Sequence, residues 1–215
     1  MKRKPPHQEC DLDAAIACAE AYLRLAEPAL IRIKDVEESK EPDSFSSSLS
    51  DSVAAATNLA FAIELYIKAI LIVSKIDVPQ GRDGHKLGTL YAKMPQHFRD
   101  VIEKSYEETR KKDWNGVYDS ITLSIGQVLA GIPKWDDNRS ESFDLQVLLN
   151  RSSDIFTSWR YIYEFKKPEE DRWQFHRLEY CLLLSACRAM RDTIRNATKF
   201  ATTATENATN GVVPS

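Results

Sequence analysis

Glycine is scarce in this chain, with seven among 215 residues. So few flexible positions disfavour a strand-and-turn architecture and favour helices. The four cysteines, Cys10, Cys18, Cys181 and Cys187, form no Cys-x-x-Cys pair, and no His-x-x-x-His lies near them. That spacing argues against a zinc site. With a large core available, disulfide staples are unnecessary, and the cysteines read as buried free thiols of a reducing cytosol. A Gly-rich phosphate loop, GxSxG, HExxH and paired calcium-loop acids are all missing, which removes the standard soluble-enzyme motifs. Excess positive charge is missing too: the net charge is −3, against a uniformly basic nucleic-acid binder. No internal repeat is visible.

What is present is apolar and helical in period. At 43% hydrophobic and 28% charged, the chain has the composition of an ordinary soluble protein with one sizeable core. Its densest stretch is residues 59–73, LAFAIELYIKAILIV, broken only by Glu64 and Lys68. A helix apolar on nearly every side belongs in the middle of a bundle. The stretch falls short of the roughly 20 apolar residues that a membrane span needs. No secretory peptide is read at the basic start MKRKPPHQEC, and the expected setting is cytoplasmic.

Taken in order, residues 1–10 read as a flexible basic leader, residues 11–203 as a single helical domain and residues 204–215 as a flexible polar tail. Apolar residues recur from Leu12 to Ile33 at helical spacing, with Asp11 as cap and Pro28 kinking or splitting the helix. EESKEPDSFSSS, residues 37–48, reads as a loop. The central helix is expected from Ser50 or Asp51 to Ile76. Pro79, Gly81 and Gly84 then forbid a regular helix, and Gly84 can supply a left-handed turn. A short helix follows over residues 86–93. The next opens at Pro95 with Phe98, Val101, Ile102 and Tyr106 inward. ITLSI hints at a strand. Residues 142–162 and 175–202 read as two further long helices. The class is all-α: an antiparallel up-and-down bundle of four long helices plus short ones.

Three groups carry the chemistry. Glu64 and Lys68 lie four apart and share one face of the most apolar helix. Opposite charges there demand a surface position, a further partner or a cleft, since desolvation consumes most of a buried pair's attraction. Next comes Gly84-His85-Lys86-Leu87 at a helix start, where an imidazole can exchange protons beside an anion-favouring terminus. The blander alternative has His85 holding the turn through one hydrogen bond. Third, Arg160 and Tyr163 in WRYIYE form a mixed cationic and aromatic face, with Arg160 suited to a phosphate or to an internal pairing with Glu64 or Glu164. The basic runs Arg110-Lys111-Lys112 and Arg188, Arg191, Arg195, Lys199 read as solvated faces.

The run LAFAIELYIKAILI followed by GHKLGTLY resembles the helix-and-turn hallmark of HEPN domains. The matching positions are Glu64, Lys68, Gly84, His85 and Leu87, with Lys86 where an acid is common. The likeness covers about residues 50–95 well and residues 155–200 loosely. It implies a helical bundle that commonly forms a homodimer and binds RNA, a nucleotide or a partner protein in stress or defence systems, with Glu64, Lys68, His85, Arg160 and Tyr163 around one polar cleft. Cofactors and metals are not implied. Many members are metal-independent ribonucleases that use an Arg and a His separated by four to six positions at the dimer seam. The nearest pair here is Arg172 and His176, enclosing three residues. If it serves, the histidine takes a proton from the 2′-hydroxyl while the arginine holds phosphate charge.

Overall fold

The computed structural model describes residues 11–39, 45–114, 121–125, 143–153 and 174–210. The class is all-α, with one two-stranded antiparallel ribbon attached.

Helices α1 (Leu12–Ser39) and α2 (Phe45–Val73) form a hairpin. Arg32 pairs with Asp51, and Tyr22 stacks on Phe61 with ring centroids 5.0 Å apart. Ten residues back along α1 thus match ten forward along α2, which fixes the pair as antiparallel. Asp11 caps α1, its Oδ1 accepting from Ala14 N at 3.1 Å. Pro28 does not split α1, contrary to expectation. It lies on the exposed side, where water can satisfy the carbonyl that loses its N–H partner. The expected loop over residues 37–48 is shorter too, because helix extends to Ser39 and resumes at Phe45.

α2 is the core helix. Leu59, Ile63, Tyr66, Ile67, Ile70 and Leu71 are fully buried. Residues Val53–Val73 are long and apolar enough to cross a membrane by length and composition, yet 61% of their most apolar window is buried inside the protein. α1 and two further helices, over Leu87–Ala92 and Tyr180–Asn210, supply that cover. α2 ends in a doubly bonded C-terminal turn: Ile76 N donates to Leu71 O and Lys75 N to Ile72 O, both at 2.9 Å. Lys75 occupies the left-handed position (φ 56) where glycine is usual, and Ile76 tucks back against the core.

A 3-10 helix at Gly81–His85 leads into α3 (Leu87–Ala92). The left-handed glycine here is Gly81 (φ 65), not Gly84. Gly84 answers a different constraint: a Cβ there would lie 2.5 Å from the Pro79 carbonyl oxygen. α4 (Gln96–Trp114) buries Ile102 and Tyr106, while Val101, expected inward, is 53% exposed. One α-helical step of 100° carries it off the stripe.

The ribbon pairs β1 (Ile121–Ile125) with β2 (Gln174–Leu178), placing Leu123 opposite His176. ITLSI is therefore a strand, as its β-branched residues hint. QFHRL was expected to begin the last helix and is instead its partner. The helix, α6, starts later and ends later, at Tyr180–Asn210. Of the long helix expected over residues 142–162, the described part is α5 (Leu145–Arg151), capped by Asp144 through Val147 N at 2.8 Å and followed by a turn at Ser152. α5 lies so close to α3 that a Cβ on Gly88 would meet Asn150 Oδ1 at 1.8 Å.

Candidate functional site

The carboxylate of Glu64 is the organising group. It projects from the middle of α2 and its side chain is only 5% exposed. An isolated buried carboxylate costs several kcal/mol, so the fold must supply partners. It supplies two. Lys68, one turn along, places Nζ 2.5 Å from Oε1. His85, 21 residues away in sequence, places Nδ1 3.1 Å from Oε1 and 3.3 Å from Oε2. The return is built by the sequence between them: the cap at Lys75 ends α2, Gly81 reverses the backbone, and Gly84 lets the 3-10 helix close on Pro79.

Exposure rises outward across the cluster. Lys68 is 20% exposed and His85 is 62% exposed at the side chain. Among the described residues His85 Nε2 has no protein partner, and Lys68 spends one of its three N–H groups on Glu64. Lys86, beside the histidine, pairs with Asp83 at 3.1 Å. The result is an anchored imidazole and an ammonium facing outward from a buried anion.

Glu64, Lys68 and His85 are thus brought together as the sequence suggested. Arg160, Tyr163 and Arg172 lie outside the described residues. His176 lies on β2, not on the last helix where it was expected, because QFHRL pairs with ITLSI across a long sequence separation.

Other polar clusters were not singled out from the sequence. Arg151 at the end of α5 forks onto Glu179, with Nη2 2.7 Å from Oε1 and Nε bonded to Oε2, and Glu179 is itself buried. At the α1, α2 and α6 junction, Arg195 meets Glu20 at 2.8 Å near the fully buried Tyr66 and Cys187. Desolvation pushes the Tyr66 hydroxyl and the Cys187 thiol upward from their ordinary ranges, so both stay neutral and Cys187 is a poor nucleophile. Their signal in the sequence was faint: single charges spaced far apart. The basic runs are largely neutralised locally, Arg110 and Lys111 on Glu107, Arg191 on Asp192. Of the cysteines, Cys181 and Cys187 are buried while Cys18 is exposed, contrary to the expectation of four buried thiols.

Among the described residues no group of three His, Cys, Asp or Glu side chains converges to hold a metal ion. Comparison with known proteins finds no match: no family model, no curated protein and no solved structure is similar to this chain.

Proposed function

We propose that this chain is a HEPN-like helical module that binds a phosphate-bearing ligand, RNA or a nucleotide, at the outer side of the Glu64, Lys68 and His85 cluster. One observation carries the reading: an imidazole is held on a buried carboxylate by one nitrogen while its other nitrogen, beside a lysine, has no partner among the described residues. A histidine whose task ended at the turn would gain nothing from an exposed ring. Lys68 supplies the positive charge that a phosphate needs, and its remaining N–H groups supply the donors. Glu64 keeps the ammonium and the imidazole in place without itself reaching the ligand.

The test is fluorescence anisotropy with labelled single-stranded RNA in chelator at two salt concentrations. Affinity is expected to fall as salt rises, with a log–log slope of roughly −0.7 per phosphate contacted. Lys68→Ala is expected to weaken binding about tenfold, the equivalent of one charge-assisted hydrogen bond. Affinity that is indifferent to salt and to Lys68→Ala would overturn the proposal. Cleavage of the RNA in the same chelated samples would direct attention back to Arg172 and His176.

A further inference from the structure

Resting on that reading, we infer that His85 selects ligands carrying a ribose hydroxyl and discriminates against their 2′-deoxy counterparts. The argument concerns which imidazole nitrogen holds the hydrogen. A carboxylate can only accept, and both oxygens of Glu64 lie within 3.3 Å of Nδ1. Nδ1 must therefore carry a hydrogen, and whenever the ring is neutral Nε2 is a bare acceptor. That nitrogen belongs to a side chain that is 62% exposed, and it has no partner among the described residues. A bare acceptor asks for a donor. Phosphodiester oxygens offer none, so a phosphate alone would satisfy Lys68 and leave His85 unmatched. The hydroxyl that neighbours each phosphodiester in RNA offers an O–H whose oxygen is three bonds from the phosphate-bearing oxygen, independent of base identity. Lys68 and His85 share one carboxylate oxygen, Glu64 Oε1, at 2.5 Å and 3.1 Å. Their outward groups are thus close enough to take a phosphate and its adjacent hydroxyl together. Lys68 would confer strength and His85 identity. Glu64 is the positioning residue that sets the tautomer.

The experiment compares oligouridylate, oligodeoxyuridylate and the 2′-O-methyl oligomer against the full chain, with uridine 3′-monophosphate and 2′-deoxyuridine 3′-monophosphate as mononucleotide arms. The methyl ether keeps the oxygen acceptor and removes the donor, so it separates hydrogen bonding from sugar shape. The ribose forms are expected to bind about tenfold tighter than both analogues. His85→Ala is expected to bring that ratio to about one. A long-range ¹H–¹⁵N correlation spectrum of the unliganded protein is expected to show His85 Nε2 unprotonated, and Glu64→Gln to mix the two tautomers. Equal affinity for the three oligomers, with salt-dependent binding intact, overturns this inference and spares the binding reading. A protonated Nε2 beside a bare Nδ1 overturns it without any ligand. Failure of every oligomer and nucleotide to bind overturns both.

Discussion

Two buried carboxylates invite comparison. Glu64 and Glu179 are both nearly solvent-free, and each is met by nitrogen-bearing side chains. Glu179 receives a guanidinium fork from Arg151, which engages both oxygens at once. A planar fork is matched to a carboxylate and fixes geometry. It ties α5 to the start of α6, and its chemistry is turned inward. Glu64 receives a lysine and one edge of an imidazole, and among the described residues both partners keep unspent nitrogen groups. The same buried charge is a clamp in one place and a mount in the other. The difference lies in the shape of the partner: a fork commits one group to both carboxylate oxygens, whereas an imidazole edge leaves the opposite nitrogen on a side chain that is 62% exposed.

That contrast can be broken by substitution. Arg151→Met should be the most damaging, because it takes the guanidinium fork away from a buried carboxylate. We expect a loss of about 3 kcal/mol in a urea titration, discounted from the upper end because Arg151 is partly exposed. Glu64→Ala should cost roughly 2 kcal/mol, since the lysine and histidine it releases can turn to water. His85→Ala should cost under about 1 kcal/mol, because the ring is mostly exposed and Glu64 keeps Lys68. If His85→Ala destabilises as much as Arg151→Met, the histidine is a clamp after all and the contrast collapses.

A third carboxylate, Glu107, sets the surface baseline. The Arg110 guanidinium bonded to it holds its carboxyl below the usual range, with Lys111 adding to the effect. A depressed folded pKa contributes stability above the unfolded pKa, and that contribution disappears as pH falls through the folded one. Glu107→Gln should therefore cost a few tenths of a kcal/mol at neutral pH, screened by salt, and nothing in strong acid. Thermal melts at pH 7 and pH 2 check the sign.

How much of this could be read from residues alone differs by element. α2 was plain, because a run apolar on every side has one home in a bundle. The Glu64 and Lys68 pairing followed from helical spacing, and the return of His85 followed from charges that could not stay unpartnered. The ribbon was half legible. ITLSI advertises a strand by its branched residues, whereas QFHRL needs that distant partner to become one. Pro28 misled because its cost depends on which side of the helix faces water. The Arg151 and Glu179 fork joins residues 28 apart, which the spacing had assigned to two separate long helices. Val101 failed for a smaller reason: adjacent positions on a helix diverge by a quarter turn, and only Ile102 faces in.

The crowding at Gly84 has a consequence for length. With no room for even a methyl group against the Pro79 carbonyl, the corner cannot swell to absorb an extra residue. The connector from the end of α2 therefore acts as a ruler. It meters where the imidazole lands along the central helix, and a one-residue insertion would carry the ring past its mark.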